Sequence, residues 1–236
     1  MLKPLLPVAA LSLISAPAYA GVEVQSEGPV VQLSVTETVK AAPDITTIGA
    51  GVSTRAATAV EAMRANAREM TTIINRIKAL GIAEDDIQTT GVSLNARYDY
   101  NRTTQKQVFQ GYDASNRVSI ILRDVTETGP TLDALVAAGA TDINGPSFSI
   151  DDDTAARAQA REAAMTRALA MGRQYAGWNG YNDVRLLEIS ENVATSRPQP
   201  MMRAAVETQM SDVSTPIQPG LVGTSVTVSV TYEMMR

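Results

Sequence analysis

Val60-Glu61-Ala62-Met63-Arg64-Ala65-Asn66-Ala67-Arg68-Glu69-Met70-Thr71-Thr72-Ile73-Ile74-Asn75-Arg76-Ile77 is the stretch on which the fold turns. Val60, Met63, Ala67, Met70, Ile74 and Ile77 recur at steps of three and four, while Arg64, Asn66, Arg68, Glu69 and Arg76 fall elsewhere. That is the period of a helix with one apolar face, and Leu80-Gly81 closes it. On both sides the period changes to two. Before the helix, Val31, Leu33, Val35 and Val39 alternate with Gln32, Ser34, Thr36 and Thr38, the pattern of a half-buried strand. Residues 44–53 read as its antiparallel neighbour across Ala41-Ala42-Pro43. After the helix, residues 87–100 and 108–123 read as two strands joined by a polar turn from Asn101 to Lys106, a hairpin.

Further along, a short helix is expected over 131–138, closed by Gly139, then a brief strand at Phe148 and Ile150. An alanine-rich helix over 154–175 places Ala160, Ala164, Met171 and Tyr175 on one face. Residues 184–190 and the run Val226, Val228, Val230 and Tyr232 complete the strands. Each long helix is followed by a glycine and a strand, Gly81 with Ile87 and Gly180 with Val184, a weak two-fold echo. The predicted fold is therefore α+β: a mostly antiparallel sheet with the two long helices packed on one face and a projecting β-hairpin. An outer-membrane barrel would need many alternating strands without such helices between them.

The first residues read as an export signal. Lys3 precedes an apolar run from Leu5 to Ile14, and Ala18-Tyr19-Ala20 has the small-x-small form of a cleavage site. The run is far short of the ~20 residues that span a bilayer. Cleavage after Ala20 divides the chain into a signal over 1–20 and a domain over 21–236, with a periplasmic or secreted location and no transmembrane span in the mature chain. Between 193 and 220 the regular pattern stops, leaving a long irregular loop that exceeds the ~12–15 residues usual for a connection.

Composition removes several function classes. The chain has no histidine and no cysteine, which excludes Ser-His-Asp and Cys-His nucleophiles, the usual zinc sets and any disulfide. No Walker-type loop or Gly-x-Gly-x-x-Gly follows a strand. Acidic residues outnumber basic ones, 25 to 20, against sequence-independent nucleic-acid binding. Asp151-Asp152-Asp153 and Glu84-Asp85-Asp86 are the densest carboxylate clusters. They lack the spacing of a calcium loop and read best as helix caps. No catalytic, cofactor or metal residue is assigned. Tyr98, Tyr100, Phe109 and Tyr112 concentrate on the hairpin in a chain otherwise poor in aromatics, and Met201 and Met202 lie between prolines in the long loop. Rigid aromatic rings and adaptable methionines suit contact surfaces, so Tyr98, Tyr100, Tyr112, Met201 and Met202 are the candidate assembly residues.

Several stretches resemble the SIMPL-domain family, of the periplasmic immunogenic protein type: Asp86-Ile87-Gln88-Thr89-Thr90-Gly91-Val92-Ser93-Leu94, Gln110-Gly111-Tyr112 with Ala114-Ser115-Asn116, and Leu132-Asp133-Ala134-Leu135-Val136-Ala137-Ala138-Gly139-Ala140. Residues 163–170, Ile189-Ser190-Glu191 and the valine-rich last strand fit as well, and together they cover nearly all of the mature chain. The resemblance implies an α+β fold, an envelope location, homo-oligomers in ring-shaped assemblies for some members and a link to envelope or oxidative stress for others. It supplies no catalytic motif. Gln159 and Met165 interrupt the lysine and arginine pattern expected of such a helix. Two classes of function stay open on the residues. One is a non-enzymatic envelope protein that self-assembles and binds a partner or small ligand. The other is a hydrolase or lyase acting on an envelope polymer through carboxylates alone, with Glu84, Asp86, Asp151, Asp152 and Asp153 as candidates.

Overall fold

The computed structural model describes residues 26–195 and 215–236. The expected signal over 1–20, most of the 193–220 segment, and Met201 and Met202 lie outside the described residues. The elements run β1 (Val30–Ala41), β2 (Ile45–Ala56), α1 (Ala59–Ala79), β3 (Ile87–Asn101), β4 (Lys106–Leu122), α2 (Thr128–Ala137), β5 (Asp142–Ser149), α3 (Thr154–Trp178), β6 (Asp183–Thr195) and β7 (Val222–Met235). The α+β fold with antiparallel strands, two long helices and a projecting hairpin is as expected.

The strands divide between two sheets rather than one. β1, β7 and β6 form a three-stranded sheet in that order, and β3, β4, β2 and β5 form a four-stranded one. Each long helix covers its own sheet, so there are two cores. In the four-stranded unit Met70, Ile73 and Ile77 of α1 pack with Leu135 of α2 on Ile48, Val52, Val118 and Ile120. In the three-stranded unit Ala160, Ala164 and Ala168 of α3 pack on Leu33, Val35, Val226, Val228, Val230 and Tyr232. The echo of helix, glycine and strand corresponds to this division, and Gly81 and Gly180 both carry the positive φ with which each helix ends.

Three expectations are corrected. β1 and β2 are not hydrogen-bonded neighbours: β1 pairs with β7, and β2 with β4 and β5. Proline at 43 holds Ala42 and itself extended, and Asp44 N–H donates to the Ser149 carbonyl at 3.2 Å. The chain therefore crosses into the second sheet instead of reversing. On α1, the buried row is Ala62, Asn66, Met70, Ile73 and Ile77, while Val60 is exposed. The face is rotated because Asn66 is buried by function of its amide, which donates to the carbonyls of Val52 and Ala114 at 3.0 and 3.1 Å. On α3, the buried row is Ala160, Ala164, Ala168, Gly172 and Ala176. Small residues at every fourth position let the helix lie close on the valine rows; a Cβ on Gly172 would stand 3.0 Å from the Tyr232 ring. Tyr175 turns outward and meets Trp178 edge to face at 5.3 Å.

Glu233 near the end of β7 is buried and closes the three-stranded unit. Its carboxylate accepts from Arg185 Nε at 3.0 Å and from the backbone N–H groups of Glu27 and Gly28 at 2.7 and 2.6 Å.

Candidate functional site

β2 and β4 pair from Thr46↔Leu122 to Ala56↔Tyr112, where β2 ends. β3 and β4 continue pairing to Asn101↔Lys106. The residues beyond that point form a two-stranded arm standing clear of the sheet. Its tip is held by Asn101, whose Oδ1 accepts from the N–H groups of Thr103 and Thr104 at 2.9 and 3.1 Å, the short-range bond that favours asparagine in turns.

A bulge decides which side chains share a face. Arg97 lies opposite Gly111 and Tyr98 opposite Phe109, so Gln110 is an extra residue in β4. In an unbroken strand Phe109 and Tyr112, three apart, would point to opposite faces. The extra residue restores their parity. Gly111 makes the bulge possible: its φ is 115°, and a Cβ there would lie 2.4 Å from the Ala56 carbonyl oxygen.

The result is a row of rings. Tyr98 and Phe109 meet edge to face at 5.6 Å, and Phe109 and Tyr112 at 5.3 Å. Tyr98, Tyr100 and Phe109 are 55%, 62% and 45% exposed, whereas Tyr112 is half-buried where the arm joins the sheet. Alternation sets Tyr100 on the face of Tyr98, and Val92 and Leu94, also exposed, extend the stripe down β3. The other face is charged: Asp113 pairs with Arg55 at 2.8 Å and with Arg97 at 3.9 Å, and Arg97 with Asp99 at 3.5 Å. These pairs are largely exposed and contribute little stability; they make the arm two-faced. β3 is also an edge strand, with only Ile87 and Arg97 half-buried along its length.

Of the assembly candidates, the structure brings Tyr98, Tyr100 and Tyr112 to one ribbon with Phe109 between them. Val92 and Leu94 escaped the sequence reading because alternation alone does not say which strand lies at an edge. The bulge had a signal, a glycine inside a strand pattern at 111.

The two carboxylate clusters have structural partners. Arg123 joins them, donating to both Asp86 oxygens at 3.0 and 2.8 Å and to Asp151 Oδ2 at 2.8 Å. Those bonds hold its guanidinium still more firmly protonated than usual. Asp152 Oδ1 accepts from Thr154 N–H at the start of α3, and the Thr154 side chain foremost, then this N–H, keep its carboxyl below the ordinary range. Asp153 pairs with Arg157, and Glu84 with Lys78. Among the described residues no group of three His, Cys, Asp or Glu could share a metal ion, and no helix is long and apolar enough to cross a membrane.

These elements define an α+β protein of two helix-backed antiparallel sheets with a two-faced arm. The chain belongs to the SIMPL family, described as a protein of unknown function (DUF541), whose model matches residues 31–232. It is similar to the 26 kDa periplasmic immunogenic protein of Brucella melitensis biotype 1, 30% identical over an alignment of 200 residues, with 82% of this chain and 80% of that protein covered. The protein of the same name from Brucella abortus (strain S19) is equally similar. The uncharacterized protein YggE of Escherichia coli (strain K12) is 28% identical over 179 residues, 75% of this chain and 71% of its own length.

Proposed function

We propose that this chain is a non-enzymatic periplasmic protein that assembles with copies of itself through the arm and serves in envelope or oxidative stress defence. The observation that carries the reading is the row of exposed rings on a ribbon that stands clear of the sheet. A monomer gains nothing by holding tyrosine and phenylalanine in water, whereas rigid rings bury large area at small entropic cost when a second surface covers them. The arm by itself is too small. Three partly exposed rings offer roughly 300 Å², against roughly 800 Å² per partner in a stable interface. The contact therefore extends along β3, where Val92, Leu94 and the open edge of the strand are available for pairing. The Brucella relatives are periplasmic by name, and residues 1–20 have the form of a signal cut after Ala20. The stress role rests on the family resemblance.

Light scattering on the mature protein tests assembly. The expected mass is a multiple of the protomer, falling toward one protomer in Tyr98→Ala/Tyr100→Ala/Phe109→Ala. A single-protomer mass for the wild type at micromolar concentration would overturn self-assembly, and an unchanged multiple in the triple variant would move the contact elsewhere. Intact mass of envelope-derived protein is expected to begin at Gly21.

A further inference from the structure

The face of the four-stranded sheet that α1 leaves uncovered carries a cleft of about 420 Å³. Alternation along β2 turns Ile48, Ala50 and Val52 into the core, so Thr47, Gly49 and Gly51 face outward. Two successive outward glycines leave a gap that side chains from the flanking strands fold over. A Cβ on Gly49 would stand 3.3 Å from Asn144 Cβ, and one on Gly51 3.0 Å from Arg117 Cγ. Arg117 of β4 thus lies across Gly51 and reaches Asp142 of β5, its Nε donating to Oδ2 at 2.7 Å and its Nη2 lying 2.5 Å from the same oxygen as an ion-pair contact. Both nitrogens approach one oxygen. Among the described residues no partner is bonded to Asp142 Oδ1 or to Arg117 Nη1. The rest of the lining is short and neutral, chiefly the hydroxyls of Thr47, Ser119 and Ser147 and the amide of Asn144.

We propose that this cleft binds a small zwitterion, an ammonium and a carboxylate a few bonds apart, of the size of a free amino acid or a dipeptide. The ammonium is matched to Asp142 Oδ1 and the carboxylate to Arg117 Nη1, with the hydroxyls and the Asn144 amide for the remaining polar atoms. The paired charges exclude simpler ions: a lone anion entering here meets Asp142, and a lone cation meets Arg117, so each attraction is offset by a like-charge approach. The arginine side chain is 66% exposed, so turning one of its donors to a ligand leaves no buried charge stranded. The volume falls within the ~300–1,000 Å³ of small-molecule sites. The proposal is independent of assembly through the arm.

Calorimetric titration of the full mature chain with L-alanine, D-alanine and alanyl-alanine, and with acetate, methylammonium and N-acetylalanine amide, tests it. At least one zwitterion is expected to bind saturably, with Kd between about 10 μM and 1 mM, and none of the other three compounds. Asp142→Asn and Arg117→Gln, each checked for an unchanged circular dichroism spectrum, are expected to weaken that binding at least tenfold. The pair is on the surface, so both variants are expected to fold. Absence of saturable binding by all three zwitterions up to about 10 mM, binding untouched by both substitutions, or equal binding of acetate or methylammonium would each overturn the proposal.

Discussion

Replacing Gly111 by alanine tests the geometry of the arm at its root. A non-glycine residue held at φ of 115° is strained, a cost on the order of 1–3 kcal/mol. The added Cβ would also lie 2.4 Å from the Ala56 carbonyl oxygen. No flexible side chain can yield there, since the obstacle is the backbone where β2 ends. The two effects together give a loss of about 2–4 kcal/mol. At about 2–4 °C per kcal/mol for a domain of this size, the thermal midpoint falls by about 5–15 °C. Gly91 of β3 is the matched control, because a Cβ there meets nothing within 4 Å; Gly91→Ala is expected to be neutral or stabilising by up to about 1 kcal/mol. Urea unfolding of both variants and the wild type supplies the comparison. If the two variants differed by less than about 0.5 kcal/mol, the bulge would not be the constraint described, and the shared face of Phe109 and Tyr112 would need another cause.

Met70→Asp sets a carboxylate among Ile73, Ile77 and the β2 and β4 core and is expected to cost about 4 kcal/mol or more, whereas Glu69→Ala, on the exposed side of α1, should stay within about 0.5 kcal/mol of wild type; similar thermal midpoints would refute the face assigned to this helix. Arg185 foremost, then the Gly28 and Glu27 amides, hold the Glu233 carboxyl below its ordinary 4.5. A folded value below the unfolded one means that this stabilisation is complete above about pH 4.5 and is lost as pH falls through the folded value. Wild type should therefore exceed Glu233→Gln in thermal midpoint at neutral pH and converge on it below pH 4.5; a gap constant with pH would refute the role of the carboxylate.

Periodicity made most elements legible, because a strand of alternating Val and Thr or a helix with apolar steps of three and four announces its own class. What it could not convey was partnership. Thr36 and Thr227 meet at 2.8 Å across 191 residues of chain, and nothing local to either strand marks that pairing, so local pattern favours the strand nearest in sequence as the partner of β1. The face of α1 is illegible at Asn66 for a related reason: a polar residue on a helix suggests a solvated position unless its bonding partners, here the carbonyls of Val52 and Ala114, are known. Thr58 caps α1, its Oγ1 accepting from Glu61 N–H at 3.3 Å and donating to Glu61 Oε2 at 2.9 Å, and the Thr-x-x-Glu spacing that marks such an N-terminus is legible in the sequence. On the arm, the tyrosines were visible as composition. Their common face depends on one inserted residue, which only a pairing register reveals.

The arrangement of the three-stranded sheet bears on how the chain is completed. Its central strand, Val222–Met235, comes after both flanking strands in the chain, and each flanking strand has it as its hydrogen-bonded neighbour. A chain synthesised from its N-terminus has every strand of the four-stranded unit once Ser149 has emerged. Val30–Ala41 must wait, its edge unclaimed, until β7 follows β2 to β6. Termination shortly before Val222 would thus forfeit the whole three-stranded sheet rather than a single strand, leaving two orphaned ribbons and the small-residue row of α3 in water.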